Sequence, residues 1–387
     1  MQHRRPGINY TTRFNRIRSA KWLKAVLLAL SLVLCFAVVW FAWLQPGANE
    51  PVPSETTILS PSALAPTPSV AASPTSVPTL TPSPTPTPPP QAAACSPGDT
   101  GEIVKTAQTM LISLGFDPGE ADGIYGERLQ AAVRNFQMYV ELPVTGTLDT
   151  NSAAALTQHW QTAQQPLSAT EQPLVGYVIG IDPGHQRHPN HGQEPVSPGS
   201  TVMKDKVSSG TEGQFTGVPE YVVNLQVALK LKAALEALGA RVVMTRETHG
   251  VDIPNSQRAQ MMNEAGVDCW LRIHANYSAN PADHGMFILV PQKGSLDTDD
   301  SAVVERSALL AETLLQSTLE ATDADSSRRL EQRDDQTGFG WSKVPVCNIE
   351  MGYMSNEAED KLLVTEAYQQ KIVDGLVAGF VQYFTER

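Results

Sequence analysis

Cysteine is scarce in this chain, with four in 387 residues, and none of them stand at metal-ligand spacing. Cys35 lies within an apolar run, while Cys95, Cys269 and Cys347 are widely separated, so neither a disulfide framework nor a cysteine-ligated zinc module is encoded. Cys269 and Cys347 fall on expected interior strands and read as small buried hydrophobes, with a bridge between them left open. Basic charge is also short. Acidic residues outnumber basic ones 40 to 28, a net charge of -12 that argues against nucleic acid as the main partner. No compact HExxH helix is present, so any histidine metal ligands must come from distant parts of the chain.

Acidic residues are wholly missing from positions 1–24, which carry Arg4, Arg5, Arg13, Arg16, Arg18, Lys21 and Lys24. Then charge itself disappears: Ala25 to Leu44 is an uncharged run of 20 residues with Trp22, Trp40 and Trp43 near its ends. At 1.5 Å rise, ~20 residues cross a bilayer core, and aromatic residues favour its interfaces. A cleaved signal peptide has a shorter apolar region, ~7 to 15 residues. A single transmembrane helix is therefore expected at 25–44, with a basic cytoplasmic tail at 1–24 and all that follows outside the membrane. Residues 45–94 are rich in Pro, Ser, Thr and Ala, with Glu50 and Glu55 their only charges. Such a segment cannot bury enough apolar surface to order itself and reads as an extended spacer.

Helical periodicity begins after it. Ile103, Ala107, Met110, Leu111 and Leu114 form one stripe that stops at Gly115, and Leu129, Ala132, Val133, Phe136 and Val140 form a second. Asp149 can cap a third short helix through Leu156. A small three-helix domain is expected over 95–160, and the polar stretch 161–172 then leads into a last domain, 173–387. The stretch LGFDPGEADGIYGERLQAAVRNFQMYVELPVTGTLD resembles the peptidoglycan-binding module of the PG-binding-domain-1 type, notably in Asp122 to Gly126, Phe136-Gln137 and the turn from Leu142 to Gly146. That resemblance implies peptidoglycan as a partner and a module that concentrates the rest of the chain on the wall without sharing in chemistry.

The last domain alternates apolar strand patterns with helical ones. Strands are expected at Leu174 to Ile181, Arg241 to Thr245, Cys269 to Ile273, Met286 to Val290 and Val344 to Ile349. Helices are expected at Glu220 to Leu238, Gln257 to Ala265, about Asp299 to Ala321, and as a pair within Asn356 to Phe384. This alternation predicts an α/β domain with a mostly parallel sheet flanked by helices. In such sheets, ligands bind in the crevice at the carboxyl ends of the strands. Three strand ends carry His185, His274 and Glu350, and Glu220 opens a helix. Each has a plainer reading alone: a loop histidine, a core histidine, a strand-end carboxylate, and an acid placed to suit the helix dipole. Together, nitrogen and oxygen donors of this kind suit a zinc site with three protein ligands and an open position.

IGIDPGHQ, the Glu220 helix with LGARVVMTRET, SQRAQMMNEAGVDCWLRIHAN and VPVCNIEMGYMSNEAEDKLL resemble the zinc-dependent N-acetylmuramoyl-L-alanine amidase family, type 3. By position, the resemblance implies Zn2+ bound by His185, Glu220 and His274, Glu350 as the catalytic glutamate, and Arg258 and Asn276 near the substrate, with Arg258 equally suited to brace the fold through a buried pair. It also implies hydrolysis of the amide between N-acetylmuramic acid and the L-alanine of the stem peptide. The segment Gln186 to Pro219 is longer than such a site requires, which makes Glu212 a rival second ligand, and it is a candidate lid. A zinc peptidase acting within the stem peptide, or an inactive wall-binding protein, are the alternative readings.

Overall fold

The computed structural model describes residues 89–166, 171–294, 301–326 and 329–386. The expected basic tail, the transmembrane helix at 25–44 and most of the 45–94 spacer lie outside these residues. Among the described residues, no helix is long and apolar enough to cross a membrane.

Three helices form the first domain: α1 (Glu102–Ser113), α2 (Glu127–Tyr139) and α3 (Thr150–Gln164). Their apolar stripes meet in one core of Val104, Leu111, Phe116, Leu129, Val133, Phe136 and Leu156. Asp149 caps α3 as expected, accepting from the Ser152 amide at 2.8 Å. The helix runs eight residues beyond Leu156 to Gln164, because nothing in TQHWQTAQ breaks a helix. Gln137, fully buried, gathers the 145–147 turn: its amide group donates to the Thr147 carbonyl, and its oxygen accepts from the amides of Thr145 and Gly146.

The second domain is built on a six-stranded sheet in the order β4-β1-β5-β8-β6-β7. Its strands are β1 (Val178–Pro183), β4 (Arg241–Met244), β5 (Cys269–Asn276), β6 (Phe287–Pro291), β7 (Arg329–Arg333) and β8 (Val346–Tyr353). β4, β1, β5 and β8 are mutually parallel, and β6 is antiparallel to β8. Around them lie α4 (Glu220–Ala237), α5 (Asn255–Ala265), α6 (Ser301–Thr322), α7 (Thr337–Gly340), α8 (Glu357–Leu363) and α9 (Glu366–Thr385). The odd residues of β1 and β5, Ile179, Ile181, Leu271 and Ile273, face a core shared with α4, α6 and α9. The opposite face packs Trp270, Phe287, Leu289 and Val346 against Met262 of α5 and Phe339 of α7. Cys269 and Cys347 are buried in the sheet without a disulfide between them.

Two features were not expected from the sequence. Residues 186–219 are not simply a loop, for Asn190–Pro195 (β2) and Met203–Val207 (β3) pair as an antiparallel hairpin. Its strands are polar and half exposed, so no buried alternation marks them. β7 escaped notice for the same reason, since RLEQR has a single apolar residue.

Candidate metal centre

β1 sits between β4 and β5, so the chain leaves β1 to one side and returns on the other. This switch point opens a crevice at the carboxyl ends of β1 and β5, where His185 and His274 lie. His185 follows Pro183-Gly184 with φ of 60°, a left-handed conformation uncommon for a residue with a side chain. The surroundings impose it. Arg258 and Arg246 both donate to the Pro183 carbonyl, at 3.0 and 2.9 Å, Arg246 also holds the Gly184 carbonyl at 2.9 Å, and Arg258 holds that of His185 at 3.1 Å. Gly184 must be glycine, because a Cβ there would stand 2.2 to 2.6 Å from three ring atoms of His274.

Glu220 enters from the first turn of α4, 3 % exposed. One of its oxygens lies 3.2 Å from His185 Nε2 and the other 3.1 Å from His274 Nδ1, and the two ring nitrogens are themselves 3.1 Å apart. The carboxylate also accepts from the amides of Thr211 (2.9 Å) and Ala275 (3.1 Å) and from Asn224 Nδ2 (3.2 Å). Burial alone would raise its carboxyl, but the facing His185 and His274 rings outweigh that and hold it well below the usual range. Burial pushes His274 down to about 4, so its ring is neutral and carries a lone pair. His185 Nδ1 contacts the Ser208 carbonyl at 3.0 Å, an acceptor only, which assigns the ring proton to Nδ1 and leaves Nε2 as the free donor atom.

These three side chains each offer one ligand atom, all within 4.8 Å of one another. A tetrahedral cation with bonds of ~2.1 Å separates its ligand atoms by roughly 3.4 Å, close to the spacing found. Two imidazole rings and one carboxylate, with no lysine or arginine among the described residues pairing the carboxylate, fit a divalent cation. Glu212, the rival second ligand, is exposed and is not in the cluster.

Glu350 joins through the sheet. β8 pairs with β5 so that Glu350 is directly opposite His274. It is 8 % exposed and accepts from Asn348 Nδ2 at 3.2 Å. Burial, then the charge of Glu220, drives its carboxyl well above the ordinary range. All four residues line one open cleft of about 420 Å³, together with Ser208, Gly210, Thr211, Asn276 and Tyr277. Asn276 thus lies at the cleft. Arg258 does not: it is fully buried, and its five N–H groups go to Asp182, Gln186 and the carbonyls of Ile253, Pro183 and His185. It braces the His185 loop from behind, a role for which a guanidinium fork is suited and which substrate contact would preclude.

The pattern of the N-acetylmuramoyl-L-alanine amidase family matches residues 179–382, more than half of the chain and all four of these residues. The chain belongs to that family. A putative peptidoglycan binding domain matches residues 100–156, the three-helix domain. The amidase Rv3717 of Mycobacterium tuberculosis is 28% identical over 219 residues, covering 55% of this chain and 88% of that protein. The germination-specific N-acetylmuramoyl-L-alanine amidase of Bacillus subtilis is 26% identical over 234 residues, covering 56% and 83%. Among solved structures, the amidase Ami1 of Mycobacterium smegmatis superimposes with a TM-score of 0.50 at 25% identity, covering 55% of this chain and 99% of that one. The amidase domain is accordingly a peptidoglycan hydrolase joined to a wall-binding module.

Sequence reasoning missed several residues that hold this centre. Asp360 of α8, fully buried, accepts from the amides of Phe215 (2.8 Å) and Thr216 (3.0 Å) and from the Thr216 hydroxyl (2.6 Å), fixing the loop that precedes Glu220. Gly210 in that loop has φ of 77°, and a Cβ there would lie 2.6 Å from Glu220 and 2.7 Å from His185. An acid three residues into a helix gives no local sign of a partner 145 residues away.

Proposed function

We propose that this amidase is zinc-dependent, with His185, Glu220 and His274 as the ligands and Glu350 as the proton shuttle. The observation that carries the reading is the buried Glu220 carboxylate facing one nitrogen of each of two imidazoles at 3.1 to 3.2 Å in an open cleft. The scissile bond is the amide between the lactyl group of N-acetylmuramic acid and L-alanine. Zinc, when bound, polarises the carbonyl, lowers the pKa of water from ~15.7 toward ~7, and supplies the positive charge that favours Glu350 as a carboxylate. Glu350 takes the proton of the attacking water and hands it to the departing nitrogen, so the amine leaves uncharged at nitrogen. Asn348 orients the Glu350 carboxylate from two positions back on the same strand face. His185 keeps its ring proton on Nδ1, against the Ser208 carbonyl and away from the centre.

The wall-binding module concentrates this site on its polymer. Residues 25–44 anchor the chain in the membrane and 45–94 span outward from it, a reading supported by the length of the uncharged run and the basic residues before it. The amidase and wall-binding domains then lie outside the membrane, facing peptidoglycan.

Digestion of purified peptidoglycan by the zinc-loaded chain, with mass analysis, tests the reaction. Intact peptides beginning at L-alanine and glycan bearing free muramyl lactate are expected. Peptides cut within the stem would make the chain a peptidase, and full activity after exhaustive chelation would remove zinc from the mechanism.

A further inference from the structure

The wall-binding module and the amidase domain have separate apolar cores, and what joins them is a largely polar seam. At its centre is Asp117, in the loop after α1. One oxygen accepts from Arg187 Nη2; the other accepts from Arg187 Nε at 2.9 Å and from the Tyr221 hydroxyl at 3.0 Å. The Asp117 and Arg187 side chains are 7% and 11% accessible. His249, also buried, places Nε2 3.1 Å from the Gly115 carbonyl, and its ring packs edge-on against Tyr221 at 5.2 Å. Further along α4, Lys230 lies 4.6 Å over the Tyr139 ring, and at the far side His159 meets Glu366 at 3.2 Å. A module that merely hung from a linker would need none of these partners.

The two amidase residues that Asp117 holds are sequence neighbours of the proposed metal ligands. Arg187 stands two residues after His185, and Tyr221 directly follows Glu220. One carboxylate from the module thereby ties the β1 loop to the first turn of α4, the two segments that bring His185 and Glu220 together. Among the described residues, Asp117 is the only hydrogen-bond acceptor of the Arg187 guanidinium and of the Tyr221 hydroxyl. Arg246 closes the circuit, donating to the Gly184 and Tyr221 carbonyls, both at 2.9 Å. Groups that orient ligands from outside the coordination sphere alter metal affinity as ligands do, though less.

We propose that Asp117 is a positioning residue of the metal site, so that the wall-binding module completes the amidase centre as well as delivering it. This rests on the ligand set of the preceding section. It reverses the expectation that the module takes no part in the chemistry.

The test uses the full zinc-loaded chain and its Asp117→Ala, Asp117→Glu and Tyr221→Phe variants. Zinc affinity is read by chelator competition, the geometry of the centre by the visible spectrum of the cobalt-substituted protein, and kcat and KM on a small soluble muramyl peptide that cannot reach the module's wall-binding surface. For Asp117→Ala, zinc affinity is expected to fall on the order of 10- to 100-fold, with an altered cobalt spectrum, a lower kcat and little change in KM, while binding to sacculi is kept. Asp117→Glu should recover part of the loss. Tyr221→Phe removes one hydroxyl and keeps the ring, so it carries the test in a folded chain should Asp117→Ala fail to fold; a smaller shift of the same sign is expected. Wild-type zinc affinity, spectrum and kcat in Tyr221→Phe, or in a folded Asp117→Ala, would overturn the proposal. A wild-type chain that takes up no zinc would instead remove the ligand reading beneath it.

Discussion

Two buried carboxylates in this fold, Asp182 and Glu220, are each flanked by two nitrogen bases, and they do opposite things. Asp182, the last acid of β1, accepts from Arg258 Nη1 at 2.7 Å, Arg272 Nε at 2.9 Å and the Thr245 hydroxyl at 2.6 Å. Burial alone would raise it, but the two guanidiniums outweigh burial and hold it well below the carboxylate range. Glu220 has two imidazoles in place of the guanidiniums. Arginine cannot give up its proton, so the Asp182 cluster is satisfied and sealed. Histidine can, and the Glu220 cluster sets an anion and two imidazole rings at the wall of an open cleft. The first arrangement is a brace and the second invites a cation, and the difference lies in which base is able to become neutral.

The largest effect expected from this contrast is on turnover. Glu350→Gln leaves the three ligands in place and removes the proton shuttle, so zinc stays bound while kcat falls by a factor of about 100 to 10,000. Metal analysis beside steady-state kinetics checks this; loss of zinc in that variant would make Glu350 a ligand.

A crossed pair of substitutions comes next. Asp182→Ala leaves two buried guanidiniums without their counter-charge and should cost about 3–5 kcal/mol of folding stability. His185→Ala removes a half-buried loop side chain and should cost the zinc-free chain within about 1 kcal/mol, yet abolish tight zinc binding. Denaturant unfolding and zinc titration of both variants separate brace from ligand. Similar stability losses in the two would mean that His185 braces the fold as Asp182 does.

The smallest effect concerns pH. Burial, then the charge of Arg246, pushes His249 down to about 4 in the folded chain, against about 6.5 unfolded. Between these values the unfolded chain binds the extra proton, so His249 disfavours folding progressively as pH falls from about 6.5 to about 4. The loss should reach roughly 2–3 kcal/mol. Asp182 is held well below this window and adds no slope there. Urea unfolding of wild type and His249→Gln across pH 4 to 7 tests it, with the wild type showing the steeper fall; parallel curves would place the pH dependence elsewhere.

Much of the site was readable because it follows local rules. The apolar run VIGI stopping at Asp-Pro-Gly marks a strand that delivers His185, and CWLRI and VPVCNI do the same for His274 and Glu350. Glu220 was readable as the first residue of an amphipathic helix after proline. The stripe through Val223, Val227 and Leu231 faces the sheet core as expected, but Asn224 and Gln226 are buried too. They face the metal centre and the wall-binding module, two surroundings that periodicity cannot distinguish from solvent.

The chain's residues by themselves determined the mostly parallel α/β sheet and marked His185, His274 and Glu350 at strand ends and Glu220 at a helix start, since these depend on periodicity, turn chemistry and helix starts within ten or twenty residues; a family resemblance, not local pattern, joined the four into one site. Only the tertiary structure decided that Arg258 is a brace, that Glu220 and not Glu212 meets the histidines, and that Asp117 of one domain holds Arg187 and Tyr221 of the other. Each of those outcomes pairs polar groups separated by roughly 35 to 105 residues. A hydrogen bond at such separation leaves no trace in local pattern, because its strength comes from burial and geometry that exist only after the sheet and helices have packed.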